Sequence, residues 1–300
     1  MNSTWDRMDS FQEAFIKNFI LVFLGIAINY VNGTFVAIFF TNQIFYTESR
    51  YILYINMVIN DMIMLSLTVA IHVATYISPL FKMPVCCVVI IIGSTTHKNT
   101  PLNLAGMAIE RYIAVCNPLR HAEVCTIRRT YIALAITWGV AAVPALSDLV
   151  ITLVTQPFSF FSKALLCYSF NVYNTRHHVD SVTPVLVIYL SFVWLTLVYT
   201  YFRVLFAAKA ASTDPISARR ARNTILLHGA QLMLCMLSYI APWCDMFFLQ
   251  LFPNHRTKIL FATFVISNVL PRLLSPLIYG IRDQKLFKCM KGYYCAAEIQ

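Results

Sequence analysis

Seven stretches of about twenty or more mostly apolar residues follow one another through the 300-residue chain, separated by short connections. They cover approximately residues 18–40, 51–77, 85–116, 130–154, 182–208, 224–252 and 259–281. Crossing about 30 Å of hydrocarbon takes about 20 helical residues, and in lipid the backbone must satisfy its own hydrogen bonds. The expected fold class is therefore all-α: a seven-transmembrane helix bundle filling residues 1–300 as a single domain. An odd number of spans puts the termini on opposite sides. Pro271, Arg272 and Pro276 make the last span the least regular, but prolines are tolerable where neighbouring helices serve the carbonyls they free.

Composition agrees with lipid as the solvent. The chain is 59% hydrophobic and 12% charged, with mean hydropathy +0.66; ordinary soluble domains carry about 25% charged residues. A soluble enzyme is thereby excluded. The formal charge of +10 could suit nucleic acid, but apolar stretches break the basic residues into short clusters. Such clusters suit membrane lipids or a cytosolic partner, and no nucleic acid is expected. With the amino terminus outside, fourteen Lys and Arg fall on the inner side and seven on the outer, which favours that orientation. Residues 1–17 are then the extracellular amino terminus, where the Asn2 sequon could carry a glycan, and 282–300 the cytoplasmic tail. Met1 to Glu13 is polar and acidic, so the first span is expected to direct its own insertion. Nine cysteines without a CxxC pair suggest at most one bridge and no metal site. There is no phosphate loop and no nucleophile with a positioned base, so neither an enzyme nor a cofactor is expected.

The third stretch ends in Met107-Ala108-Ile109-Glu110-Arg111-Tyr112-Ile113-Ala114-Val115-Cys116-Asn117-Pro118-Leu119-Arg120-His121. It resembles the MAxDRYxAICxPLRY signature of odorant receptors, a branch of the rhodopsin-like G-protein-coupled receptors. Pro271-Arg272-Leu273-Leu274-Ser275-Pro276-Leu277-Ile278-Tyr279 is similar to the family's PxLNPxIY, with Ser275 in place of Asn. Arg220-Ala221-Arg222-Asn223-Thr224-Ile225-Leu226-Leu227-His228 is similar to KAxSTCxSH. The PMYFFL stretch before the second span is replaced by Ser49-Arg50-Tyr51-Ile52-Leu53-Tyr54, and Tyr239-Ile240-Ala241-Pro242 keeps a kink proline. The combination looks like a divergent odorant receptor of the kind found in fish.

The resemblance implies a plasma-membrane receptor of olfactory sensory neurons. It would bind a small odorant and activate a heterotrimeric G protein, stimulatory in type and raising cyclic AMP. A short amphipathic helix would follow the seventh span. Glu110 would hold Arg111 at rest, with Tyr112, Tyr199 and Tyr279 as the remaining coupling residues; the bland reading makes Arg111 a topology charge. A basic Arg222 cannot supply the acid that many relatives place on the sixth span. Asn32 and Asp61 match the family's buried polar positions, and Asp61 is expected to pair with Arg272 in place of a sodium ion. Alternatively, Arg272 reaches another helix or a water cavity. Cys167 is the implied disulfide partner of Cys86, with Cys87 an open alternative.

The ligand would sit in the outer half of the bundle. Gly93 stands where amine receptors carry an aspartate, so an amine held from that position is not expected. The third span offers Gly93-Ser94-Thr95-Thr96-His97-Lys98-Asn99 instead, with Lys98 thirteen residues, about 20 Å, from Arg111. One reading has Ser94, His97 and Lys98 meet an anionic or strongly accepting odorant, with Trp243, Phe247 and Asn268 shaping the cavity. The other pairs Lys98 internally with Asp148 or Asp245. Competing functions are a rhodopsin-like receptor for a non-odorant ligand and a secondary transporter, whose repeats and broken helices are not evident.

Overall fold

The computed structural model describes residues 11–173, 175–211 and 215–297, so the Asn2 sequon lies outside the described residues. The apolar stretches form long helices at Phe11–Thr41, Ser49–Ile77, Met83–Cys116, Ile127–Thr155, Arg176–Ala211 and Pro215–Leu251. The seventh span is composite: Arg256–Phe264, a π-helical turn at Val265–Val269, and Leu270–Arg282. These are called the first to seventh helices below. Several run one or two turns beyond the apolar stretch, because backbone hydrogen bonding continues after the side chains turn polar. The first begins at Phe11 rather than near residue 18, which makes part of the expected amino-terminal segment helical.

Among the described residues, five helical stretches are long and apolar enough to cross a membrane by length and composition alone. The third carries the polar run of residues 93–99 and packs most extensively, against the second, fourth and fifth helices. Short elements occupy the connections. Pro118–Val124 forms one helix after Cys116, with Pro118 at its first turn. The loop between the fourth and fifth helices holds Phe158–Phe161, Ser169–Val172 and the strand Ala164–Leu165, which pairs antiparallel with Phe81–Lys82 just before the third helix. After the seventh helix, Asp283 accepts from the Lys285 and Leu286 amides at 3.0 and 3.1 Å, capping a helix over Gln284–Ala297.

The main core gathers Phe35, Ile38, Tyr51, Tyr54, Leu104 and Met107 from the first three helices, in the half of the bundle that ends at Arg111. This is called the basic end. A smaller core of Met83, Cys86, Cys87, Val172 and Tyr173 lies under the loop at the other, or disulfide, end. Phe15, Phe19, Phe23 and Ile26 stand exposed along the first helix, as lipid-facing side chains do.

Where the first and seventh helices cross, Gly280 lies against Phe35, whose ring meets Tyr54 edge-on at 5.8 Å. A Cβ at residue 280 would overlap the Phe35 ring. Small residues let membrane helices approach this closely. We predict that Gly280→Ala costs about 1–3 kcal/mol, read as a lower thermal midpoint of the detergent-solubilised protein. Phe35→Leu in the Gly280→Ala background should recover part of it.

Candidate functional site

Thr96, Asn99, Thr100 and Asn103 recur at three- and four-residue spacing, which places them along one side of the third helix. That side meets the second helix. Asn60 Nδ2 donates to the Thr96 carbonyl at 3.1 Å and to Thr100 Oγ1 at 2.9 Å, while Asn99 Nδ2 donates to Asn60 Oδ1 at 3.2 Å. Arg272 enters from the seventh helix, its Nη1 donating to Asp61 Oδ1 at 2.7 Å and to Thr100 Oγ1 at 3.1 Å. Asp61 is wholly buried and Arg272 only 4% exposed. Each charge neutralises the other where neither could remain alone. Sequence reading placed Asp61 and Arg272 together and counted Asn99 in the polar run, but gave Asn60 and Thr100 no role; the three- and four-residue spacing of Thr96, Asn99, Thr100 and Asn103 was the available signal.

Two prolines add links of another kind. Pro276 has no N–H for the carbonyl four residues back, that of Arg272, and Asn32 Nδ2 donates to that carbonyl at 3.3 Å from the first helix. Pro101 likewise leaves the His97 carbonyl unserved, and the Tyr239 hydroxyl of the sixth helix donates to it at 3.2 Å. Each proline thus turns a backbone acceptor outward to a neighbouring helix.

At the basic end, Glu110 is 6% exposed and uses both carboxylate oxygens. Oε1 lies 3.0 Å from His121 Nε2 on the Pro118–Val124 helix, and Oε2 lies 3.8 Å from Arg111 Nε. His121 stands in the recognised motif but was given no role from sequence. Asn117-Pro118 breaks the helix and turns the chain back, so residues eleven apart meet. The Tyr112 and Tyr199 rings approach to 6.0 Å, so Tyr199 reaches the motif through Tyr112. The Tyr279 side chain lies outside the described residues. A cavity of about 580 Å³ opens here, lined by Ser49, Arg50, Glu110, Arg111, His121 and Cys125 among others. Burial and the Glu110 carboxylate push the Cys125 thiol up, keeping it protonated.

Beside this cavity, Arg50 Nε contacts Glu48 Oε2 at 2.6 Å and Lys285 Nζ contacts Glu48 Oε1 at 3.1 Å. The Tyr51 hydroxyl donates to Asp283 at 3.1 Å. The start of the second helix is therefore fastened to the helix that follows the seventh.

At the disulfide end Cys86 is bonded to Cys167, and Cys87 is free and buried. Adjacent residues of the third helix diverge below it. His97 places its ring 4.6 Å from that of Tyr239, toward the sixth helix. Lys98 donates to Ser94 and lies in the field of Asp148 on the fourth helix. His178 adds a hydrogen bond to the Asp148 carbonyl at 3.0 Å. His97 and Lys98, expected on one side of a ligand, thus face different neighbouring helices: one residue of helix turns successive side chains by about 100°.

The sixth-helix aromatics also differ from expectation. Trp243 and Phe247 are 73% and 60% exposed, on the side opposite buried Ala241, and they leave the inward side to Asp245. Asn268 donates to Ser267 Oγ at 2.9 Å and lines a cavity of about 30 Å³ beside Arg272. Asn268 thus stands next to the Arg272 side of the polar network. No cluster of three or more metal-ligating side chains occurs among the described residues.

Comparison with known proteins agrees with this architecture. Residues 31–279 match the 7 transmembrane receptor (rhodopsin family). Odorant receptor 131-2 of Danio rerio is 29% identical over 286 residues, spanning 93% of this chain and 86% of the relative. Olfactory receptor 4K1 of Homo sapiens is 27% identical over 199 residues, 62% of this chain and 59% of that protein.

Two predictions follow from the buried contacts. Asp61→Asn or Arg272→Met alone leaves a charge without its partner and should cost about 3–5 kcal/mol, seen as loss of surface expression. Exchanging the residues, Asp61→Arg with Arg272→Asp, should restore part of that expression; no restoration would count against direct pairing. Separately, Cys86→Ser and Cys167→Ser should each lower stability by about 2–5 kcal/mol in thermal unfolding, whereas Cys87→Ser should change it little.

Proposed function

Because this chain belongs to the rhodopsin family of seven-transmembrane receptors, signalling proteins rather than enzymes, we propose that it is an odorant receptor of the plasma membrane. The amino terminus and the disulfide end face outward, and the basic end faces the cytoplasm. A small odorant enters the outer half of the bundle and shifts the population toward a state whose inner face admits a heterotrimeric G protein. The G protein is of the stimulatory type, raises cyclic AMP and carries out the nucleotide chemistry. Olfactory sensory neurons are the proposed site of expression.

The observation that carries this reading is the arrangement around Arg111. A charge pair with a buried carboxylate stands at the mouth of a cavity of about 580 Å³, and the same carboxylate is held by His121 of the short helix that follows. A topology charge needs no such partner. Similarity to Odorant receptor 131-2 along 93% of the chain supports an odorant as the ligand class.

The test is cyclic AMP in cells expressing the chain with a stimulatory olfactory-type G protein and exposed to pooled water-soluble odorants. A ligand-dependent rise is expected. Arg111→Ala should abolish it at equal surface expression, and Glu110→Gln should raise the ligand-free signal several-fold. Uptake of a labelled pool without signalling would favour a transporter. A response confined to non-odorant ligands would keep the receptor and overturn the odorant.

A further inference from the structure

We propose that Asp245 is the counter-ion of a cationic ligand, so that the site takes a protonated amine or an organic ammonium. The argument is one of charge accounting. Away from the helix ends, the middle and outer parts of the spans carry three acids, Asp61, Asp148 and Asp245, and two permanent cations, Lys98 and Arg272. Arg272 is committed to Asp61 at 2.7 Å. Lys98 is held by Ser94 on its own helix and lies in the field of Asp148, which His178 also approaches, at 3.9 Å. Lys258, at the outer end of the seventh helix, is taken by Glu13 at 3.1 Å. Among the described residues, Asp245 is left without an ion pair.

Its position makes that remainder informative. Asp245 lies six residues, about 9 Å, from the Leu251 end of the sixth helix. It sits one turn from buried Ala241, with Trp243 and Phe247 on the opposite, exposed side. Its Oδ1 is buried and has no hydrogen-bond partner. An inward carboxylate inside a membrane span is costly when unpaired, and such residues mark functional sites by default. A ligand ammonium would supply the missing charge and hydrogen-bond donors together. The third-helix glycine at residue 93 does not oppose this, because the carboxylate comes from another helix. A carboxylate ligand would meet repulsion from Asp245 and find Lys98 already engaged.

The inference deepens the odorant-receptor reading, on which its biological meaning rests. The experiment separates the two. Purified full-length receptor is heated with a series of alkylamines and tetraalkylammonium ions, and with carboxylates and alcohols of matched chain length. Wild type is compared with Asp245→Asn, Asp245→Glu and the surface control Asp180→Asn. Without ligand, Asp245→Asn should unfold at the same or a higher temperature than wild type, since it removes a half-buried charge whose Oδ1 has no hydrogen-bond partner. A member of a structural ion pair would unfold at a lower one.

With ligand, at least one amine or ammonium should raise the wild-type midpoint at millimolar concentration. Asp245→Asn should need about tenfold more of it or greater, a factor of ten corresponding to one decade in Kd. Asp245→Glu should retain part of the effect and Asp180→Asn all of it. Stabilisation by carboxylates or alcohols alone, equal stabilisation of wild type and Asp245→Asn by amines, or no amine effect at millimolar concentration would each overturn the proposal. If Asp245→Asn does not fold, wild type and Asp245→Glu still decide it, through whether amines stabilise and carboxylates do not. Cyclic AMP is recorded in parallel with the same compounds. Amine stabilisation without signalling would uphold the cation site and overturn the receptor reading. Signalling to carboxylates or alcohols without amine stabilisation would do the reverse.

Discussion

The bundle depends on a buried contact between Asp61 and Arg272, 2.7 Å apart with almost no exposure. Removing two charges from water costs several kcal/mol per ion even after relaxation, so the pair survives only where geometry and added hydrogen bonds repay that cost. Thr100 supplies one from the third helix, and Asn32 binds the Arg272 backbone from the first. Four helices thereby share one electrostatic solution. In a membrane, apolar side chains gain little by leaving lipid for one another. Polar contacts of this kind fix which helices are neighbours and at what depth.

From that centre, order passes along the second helix to the basic end. The Tyr54 hydroxyl donates to the Pro276 carbonyl at 3.1 Å, one turn beyond Arg272 on the seventh helix. Two turns further on, Tyr51 and Arg50 reach Asp283, the residue that caps the following helix. A displacement of the seventh helix would therefore disturb the ion pair, the Tyr54 contact and the capped helix together. Gly280 against Phe35 tightens the same assembly from the first helix. These contacts form a mechanical chain from mid-membrane to the surface where a partner would bind.

The helices were legible because apolar length is a strong signal and lipid permits few alternatives. Asp61 and Arg272 were legible as opposite charges in the same solvent, where each needed the other. Cys86 and Cys167 were legible through the resemblance. The missed features depend on local breaks or on the phase of a helix. Residues 97 and 98 are adjacent in sequence, so they read as one site, yet they face different helices. Trp243 and Phe247 read as pocket aromatics because of their chemistry, but helical phase put Asp245 inward instead. The π-helical turn at Val265–Val269 adds a residue to one turn, and apolar periodicity does not announce it. His121 was hidden because contact with Glu110 needs the chain to reverse at Asn117-Pro118.

Prolines show how a helix defect becomes a tertiary contact. Each removes a backbone donor and leaves a carbonyl unsatisfied in a medium that supplies no water. At Arg272 and His97 the missing donors come from Asn32 and Tyr239, residues on other helices. The sixth helix is therefore joined to the third at Tyr239 through a hydrogen bond that exists only because Pro101 interrupts the third. The contact lies between the disulfide end and Arg111, on the route that any motion of the sixth helix must take. A rearrangement that withdraws Tyr239 strands the His97 carbonyl, so it needs a replacement donor. The same break that weakens the third helix locally thus opposes separation of the third and sixth.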